Sequence, residues 1–211
     1  MLKIDYSELL EKLEILFPNA GCELIYHNIY ELTVAVMISA QTTDKKVNTV
    51  TPELFRKYPD ISSLSQANIV EVEQIIKPIG LAKTKASNMI KFAKMVINEF
   101  NGNIPSTLEE LTALPGIGRK TANVVLSEGY KIQRIAVDTH VERTSKRLNL
   151  SNVDSSVLQV EKDLMDYFPE DKWHRAHHLL LFFGRYMCKS QNPDCKNCPL
   201  KQYCIKQKSV L

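Results

Sequence analysis

The sequence predicts an all-α fold, and three observations favour that class. Apolar residues recur at helical spacing along nearly the whole chain, and the connections between the helical stretches are short. Only 7 glycines and 9 prolines occur among the 211 residues, too few for a β-sandwich, which turns about every 8–12 positions. Hydrophobic residues make up 44% of the chain and charged residues 24%, values that are typical of globular domains and argue against disorder.

Helices are predicted in order from the N-terminus. Asp5 followed by Glu8 resembles a capping box, and the apolar stripe that it opens stops at Pro18. Residues 30–40 are apolar on almost every face, which favours a buried helix, with a buried strand as the alternative. A long basic helix ends before an Asn-Gly pair at 101–102. That basic helix spans residues 82–100. The further predicted helices are 44–57, 67–77, 107–113, 119–128, 139–148, 154–168 and 171–187.

The chain carries no sign of export or membrane insertion. The N-terminal residues MLKIDYSELLEK lack the apolar stretch of a signal peptide, and no apolar run approaches the ~18–20 residues that span a bilayer. A soluble cytoplasmic protein is therefore expected, without membrane contact. Five cysteines are an odd number for a disulfide framework, and clustered thiols in that compartment are usually metal ligands.

Positive charge is concentrated towards the C-terminus. The formal net charge is +3. Residues 1–100 hold 11 basic and 12 acidic groups, whereas residues 101–211 hold 16 and 12. From Arg185 onwards the sequence has six basic groups and one acidic group, Asp194, which gives a net charge of +5. This bias suggests an anionic partner such as nucleic acid, although a solvated surface explains the charge equally well.

A Leu-Pro-Gly-Ile-Gly segment at 114–118 lies between two predicted helices. Pro115 ends the first helix, and Gly116 and Gly118 allow positive φ and leave the backbone open to close approach. The next helix opens with Arg-Lys-Thr at 119–121, and bare N–H groups beside a helix N-terminus bind anions. The segment therefore predicts a phosphate-binding site, with an ordinary helix–helix turn as the alternative.

The longer segment LPGIGRKTANVVL, at 114–126, resembles the helix-hairpin-helix of the endonuclease III family of DNA glycosylases. The resemblance extends over essentially the whole chain, because further motifs agree with the family in order and spacing. They are ISAQTTD at 38–44, IGLAKTKA at 79–86, IAVDTHVERTSKRL at 135–148 and a closing cysteine quartet.

This resemblance implies two α-helical domains. A six-helix domain with the hairpin would span residues 22–132, and an iron–sulfur domain would join residues 1–21 to 133–211. Double-stranded DNA containing damaged pyrimidines or abasic sites would bind over the cleft between them. The implied activity is that of a monomeric base-excision-repair enzyme that removes oxidised pyrimidines and cleaves the abasic site by β-elimination.

Lys120 lies in the first turn of its predicted helix, where the positive helix end favours the neutral amine that Schiff-base chemistry needs. A lysine that contacts phosphate at the surface is the alternative. The resemblance implies that Lys120 is the catalytic lysine, which attacks C1′ of the flipped nucleotide.

Asp138 follows a short apolar run and precedes a helix, so its alternative role is an N-cap carboxylate. Thr139, with Glu142 three residues on, could be the cap instead. The resemblance implies that Asp138 is the catalytic aspartate, which stabilises positive charge on the sugar and assists proton transfer.

The resemblance also places DNA contacts elsewhere in the chain. Gln41 and Leu81 match positions from which the family inserts side chains into the duplex, as wedges do in other DNA-binding proteins. Gln41 as a helix C-cap and Leu81 as a loop anchor are the alternatives. The remaining expected contacts are Asp44, Pro115, Gly116, Gly118, Arg119, Thr121 and His140.

Four cysteines lie within 17 residues with the spacing C-x6-C-x2-C-x5-C: Cys188, Cys195, Cys198 and Cys204. Four clustered thiolates suit zinc or an iron–sulfur centre, and the spacing by itself leaves both open. The resemblance implies a [4Fe–4S] cluster with a structural role. Asp194 stands where many relatives carry a base, and Cys22 lies outside the pattern.

Two other functions compete with the lyase. One is a monofunctional glycosylase of the same superfamily, such as the adenine-mismatch type, and Lys120 argues against it. The other is a non-catalytic DNA-binding or electron-transfer protein, against which Lys120 and Asp138 both argue.

Overall fold

The computed structural model describes residues 4–205 and contains no β-strand in that range, which confirms the all-α prediction. Residues 1–3 and 206–211, which belong to the predicted second domain and its basic end, lie outside the described residues. The α-helices of the described range are α1 (Tyr6–Leu16), α2 (Ile29–Ile38), α3 (Asp44–Lys57), α4 (Ile61–Ser65), α5 (Ile69–Ile76), α6 (Ala82–Phe100), α7 (Leu108–Ala113), α8 (Arg119–Val124), α9 (Thr139–Arg147), α10 (Val157–Tyr167) and α11 (Trp173–Phe182).

Shorter helical turns extend several of these helices. 3₁₀ turns lie at Lys77–Ile79, Glu170–Lys172 and Lys201–Tyr203, and π-helical turns continue α8 and α11 at Val125–Gly129 and Phe183–Met187. None of the helices in the described part of the chain combines the length and apolar character needed to cross a bilayer.

The chain folds as two compact units. Residues 23–132 form the first, which we call the hairpin unit, and residues 4–22 with 133–205 form the second, which we call the cysteine unit. Helix α2 lies in the hairpin-unit core, where eight of its ten residues are buried. The buried-helix prediction for 30–40 is therefore right and the strand alternative is wrong.

Helix α6 packs along α4 and α5 in the hairpin unit. The prediction placed α6 at its observed bounds but omitted α4. Asp60 opens α4 with a capping box, in which its carboxylate accepts from the Ser63 amide at 2.7 Å. The helix is too short for apolar periodicity, because Leu64 is its one buried apolar residue.

In the cysteine unit, α1, α9, α10 and α11 enclose a separate apolar core. Asp5 caps α1 by accepting from the Ser7 amide at 2.8 Å. Glu8 does not complete a capping box, because its carboxylate accepts from the Tyr203 hydroxyl at 2.8 Å. Arg175 of α11 binds the Glu14 carboxylate and so ties α11 to α1.

Candidate DNA-binding and catalytic site

The segment at 114–118 is anchored by two buried side chains. Leu114 and Ile117 are buried in the hairpin-unit core, whereas Gly116 and Gly118 are exposed. Gly116 has φ +79°, and a Cβ there would lie 2.9 Å from Asn88 Cβ. Glycine is therefore required at this position by both backbone conformation and packing.

Gly118 differs from its neighbour. Its φ is −89°, so this residue does not use the positive φ that glycine allows. A Cβ at Gly118 would have no atom within 4 Å, and the residue opens α8 without a side-chain cap. The first amides of a helix lack intrahelical acceptors, and this start presents them beside an open surface.

Basic side chains flank that helix start. Arg119 and Lys120 are exposed in the first turn of α8, and Pro115 and Thr121 are half-buried on either side of them. The arrangement combines positive charge with exposed backbone, which suits an anionic ligand such as a phosphate.

Two predicted wedge residues share an unusual backbone. Gln41 has φ +57° and Leu81 has φ +52°, and both side chains are exposed, that of Leu81 by 57%. This exposure rules out Leu81 as a loop anchor, and the C-cap of α2 is Ser39 rather than Gln41. Left-handed backbone is rare for such residues and is concentrated at functional sites.

Asp44 is the first residue of α3 and is half-buried. The helix is capped by Thr43, whose hydroxyl accepts from the Lys46 amide at 3.3 Å. The Asp44 carboxylate therefore lies in the first turn, close in sequence to Gln41.

Asp138 is the N-cap of α9. Its Oδ1 accepts from the backbone amides of His140 and Val141, both at 2.9 Å. Thr139 is therefore not the cap, and the Glu142 carboxylate accepts instead from Lys146 at 2.7 Å. The two hydrogen bonds from these backbone amides fix the half-buried Asp138 carboxylate at the positive end of the helix.

Two arginines on α9 connect the Asp138 end of this helix to the cysteine segment. Arg143 donates from Nε to the Cys188 carbonyl at 3.0 Å and from Nη2 to the Gly184 carbonyl at 2.6 Å. Its Nη2 also lies 3.2 Å from His140 Nδ1. Burial lowers the pKa of Arg143, with a further contribution from the neighbouring Arg147 charge.

Arg147, one turn later, donates to Cys188 Sγ at 3.3 Å and to the Lys189 carbonyl at 2.8 Å. Sequence reasoning missed both arginines. Their spacing of four residues, which places two cations on one helix face, was the available signal.

The four cysteines of the quartet line one cavity of about 350 Å³, part of it open to solvent, together with Arg147 and Phe183. No disulfide joins them. Burial raises the pKa of the Cys198 thiol, and the other three thiols act in the same direction. Negative charge on one thiol therefore opposes it on the next, and a bound cation would relieve this repulsion. Four soft donors around one cavity fit an iron–sulfur cluster.

Asp194 shapes the turn that carries two of these cysteines. Its carboxylate accepts from the Asn197 side-chain amide at 3.0 Å and from the Asn197 backbone amide at 3.3 Å. Such bonds stabilise a tight turn between Cys195 and Cys198. Three lysines of the same segment are exposed: Lys189, Lys196 and Lys201.

Comparison with known proteins defines the class. Residues 34–170 match the HhH-GPD superfamily of base excision DNA repair proteins. Endonuclease III of Bacillus subtilis (strain 168) is 50% identical over 195 residues, which cover 92% of this chain and 89% of the relative. Endonuclease III of Escherichia coli (strain K12) is 36% identical over 210 residues, which cover 100% of this chain and 99% of the relative. The chain therefore belongs to the endonuclease III family within that superfamily.

Solved structures agree with this assignment. A non-covalent endonuclease III–DNA complex superposes with a TM-score of 0.93 at 47% identity and covers 97% of this chain and 95% of its own. A trapped endonuclease III–DNA covalent intermediate superposes with the same TM-score and identity. That superposition covers 97% of this chain and 96% of the chain in the intermediate.

Proposed function

We propose that this protein is a DNA glycosylase and abasic-site lyase of base excision repair, acting on oxidised pyrimidines in double-stranded DNA. The observation that carries the proposal is the exposed amine of Lys120 at the start of α8, next to the open backbone of Gly118. Membership of the endonuclease III family supports it, as does the covalent DNA intermediate of a 47% identical relative.

The DNA contacts are assigned first. The hairpin amides and Arg119 hold a backbone phosphate, which positions the duplex without reading its sequence. Leu81 and Gln41 fill the gap that the flipped nucleotide leaves in the stack. Asp44, Thr121 and His140 are assigned to the surroundings of the flipped nucleotide, and Pro115 to the turn that presents the amides.

Lys120 is the proposed nucleophile. Its amine lone pair forms a bond to C1′, while the glycosidic bond breaks and its electrons leave with the base, which takes up a proton. The amine loses a proton and the sugar ring opens as O4′ is protonated, which leaves a Schiff base. Loss of a C2′ proton then expels the 3′ phosphate by β-elimination, and water hydrolyses the Schiff base to return the amine.

Asp138 is the proposed electrostatic and proton-transfer partner. Its Oδ1 accepts two amide hydrogen bonds, and its Oδ2 accepts none from residues 4–205. These two bonds hold Oδ1 in place, and the second oxygen is left to interact with the developing positive sugar. A fixed carboxylate needs no reorganisation when that charge appears.

The quartet Cys188, Cys195, Cys198 and Cys204 is proposed to hold a [4Fe–4S] cluster, which supplies folding energy and no step of the reaction. An oxidised cluster with four thiolates carries a charge of −2, so the +5 of residues 185–211 falls to about +3 on loading. The exposed lysines of this segment are proposed to face phosphates.

We further propose that the protein is a monomer and that it acts in the cytoplasm at the nucleoid.

Borohydride trapping tests the proposed function. The protein is incubated with a duplex that contains one abasic site, and borohydride is added to reduce any Schiff base to a stable covalent adduct. With borohydride, we expect a covalent protein–DNA adduct. Without borohydride, we expect the DNA strand to be cleaved by β-elimination. Base release from a thymine glycol duplex without any adduct would identify a monofunctional glycosylase, and duplex binding without either reaction would identify a non-catalytic protein.

A further inference from the structure

Lys85 is a buried lysine in the first turns of α6. It is 7% exposed, and burial lowers the pKa of its ammonium group. No carboxylate in residues 4–205 forms an ion pair with it. Its Nζ donates a hydrogen bond to the backbone carbonyl of Ile79 at 3.3 Å. Because an ammonium buried without a counter-charge is costly, this position calls for a role beyond packing.

The direction of the Lys85 side chain explains its contact. Side chains in a helix point back towards its N-terminus, so Lys85 reaches past the start of α6. Ile79 ends the 3₁₀ turn Lys77–Ile79 that continues α5, and its carbonyl lies at the negative end of that helix. A cation is favourable there, and lysines commonly bind such terminal carbonyls.

The residues between Ile79 and α6 form the wedge turn, Gly80-Leu81. Gly80 has φ +74° and Leu81 has φ +52°, so two consecutive residues have positive φ, and Leu81 is in the left-handed conformation. This conformation is sterically unfavourable for leucine and persists only where neighbouring contacts impose it. Lys85 contacts both sides of Gly80, because its backbone amide also donates to the Leu81 carbonyl at 3.0 Å.

We propose that Lys85 is a positioning residue for DNA distortion: its buried side chain holds the wedge turn so that Leu81 projects from the surface before DNA is bound. The inference rests on the proposed function, in which Leu81 enters the duplex. Preorganisation of the turn lowers the cost of inserting Leu81, so Lys85 acts through Leu81 and not on the reacting atoms.

A double-mutant cycle on Leu81 insertion tests this proposal. The probe is a duplex with a tetrahydrofuran abasic analogue opposite 2-aminopurine, whose fluorescence rises when the base is unstacked. The variants are Lys85→Met, Leu81→Ala and the pair together. We expect each single variant to lose most of the fluorescence rise at saturating protein, and the pair to lose no more than Leu81→Ala alone, because coupled residues are non-additive.

Lys83→Met is the matched control, since Lys83 is exposed in the same turn and two residues away. It should leave the rise at saturating protein unchanged. Lys85→Arg keeps a cation and its donors and should restore most of the rise, which loss of packing alone would not predict. Lys85→Gln replaces Lys85→Met if the latter does not fold, as judged by thermal melting.

Activity supplies a second readout. Base release from a thymine glycol duplex should slow on the order of 10-fold in Lys85→Met, the scale of a slightly misplaced group. Borohydride trapping on an abasic duplex should change less, because extrusion is cheaper where pairing is already lost. A folded Lys85→Met that keeps the full fluorescence rise, or a pair that loses more than Leu81→Ala, overturns the proposal. Wild-type protein that forms no adduct overturns the proposed lyase instead, and the fluorescence cycle is read independently of it.

Discussion

Helices α8 and α9 begin in contrasting ways. Helix α8 opens at Gly118, which has no side chain to cap it, and Lys120 in its first turn is exposed. Helix α9 opens at Asp138, whose own carboxylate accepts two of the first amides. The first start has no side-chain cap for its amides, whereas the second uses its amides to fix a side chain.

Because of this contrast, substitutions at the two helix starts should differ in whether they affect function alone or stability as well. Around α9 the backbone is crowded, because a Cβ at Gly184 would lie 2.8 Å from the His140 carbonyl oxygen. Arg143 and Arg147 then bind the segment that carries Cys188. Substitutions of Gly118 and of the exposed side chains in the first turn of α8 should therefore alter binding or chemistry alone, whereas removal of the capping side chain at the α9 start should lower stability as well.

The largest expected effect is at Lys120. Lys120→Gln removes the amine but keeps a long polar side chain, so Schiff-base trapping and strand cleavage should be lost completely. Damaged-duplex affinity should fall only modestly, since a single positive charge contributes a small share of the electrostatic attraction to DNA. Borohydride trapping and binding titrations on the same abasic duplex measure the two effects.

Arg119→Gln is the control for lost charge at the same helix start. It should weaken duplex binding, and more so at low salt, while trapping persists at saturating protein. An adduct formed by Lys120→Gln would mean that another amine is the nucleophile.

Asp138→Asn should be the next most damaging change. Asparagine caps helices as well as aspartate does, so the free energy of unfolding should change by only a few tenths of a kcal/mol, roughly. Base release should nevertheless slow by about 10²–10³-fold, because an amide does not stabilise a developing positive charge as a carboxylate does. Single-turnover kinetics and chemical denaturation of the same preparation test both halves.

Asp138→Ala separates the two roles further. It should be as slow as Asp138→Asn and also less stable by about 1 kcal/mol, because the cap is lost. A fully active Asp138→Asn with a low melting temperature would reduce Asp138 to a cap.

The cysteine unit should respond through its metal content. Cys198→Ser removes one thiol from the cavity shared by the quartet and should lower bound iron, visible absorbance and soluble yield, since ligand loss removes folding energy. Cys22→Ser is the matched control, because Cys22 does not line that cavity, and it should leave iron unchanged. Stoichiometric zinc without iron in protein from iron-replete cells would contradict the assigned cluster.

The helix starts also show how far sequence reasoning reaches. Local patterns predicted the bounds of α3 and α6 and the opening of α8, and they offered Asp138 as one of two candidate caps of α9, because each feature depends on residues within one or two turns. Arg143 and the role of Glu8 were missed because their partners are distant in the sequence. Lys85 was missed because its bond to the Ile79 carbonyl depends on the conformation of the turn at Gly80-Leu81, which no local pattern specifies. Arg143 reaches a carbonyl 45 residues away, and Glu8 a hydroxyl 195 residues away.

The smallest effect on the reaction is expected from the two glycines of the 114–118 segment, and their comparison is the sharpest test of the α8 start. Gly116→Ala should lower the free energy of unfolding by about 1–3 kcal/mol, because its φ is +79° and its Cβ would lie 2.9 Å from Asn88 Cβ. Gly118→Ala should leave stability unchanged or slightly raised, since its φ is negative and its Cβ meets nothing within 4 Å. Its methyl group would instead occupy the open space that a phosphate needs, so Gly118→Ala should bind damaged and undamaged duplexes equally less well. Denaturation curves and duplex titrations check both variants, and a Gly118→Ala protein with unaltered affinity for undamaged duplex would show that phosphate does not bind at this helix start.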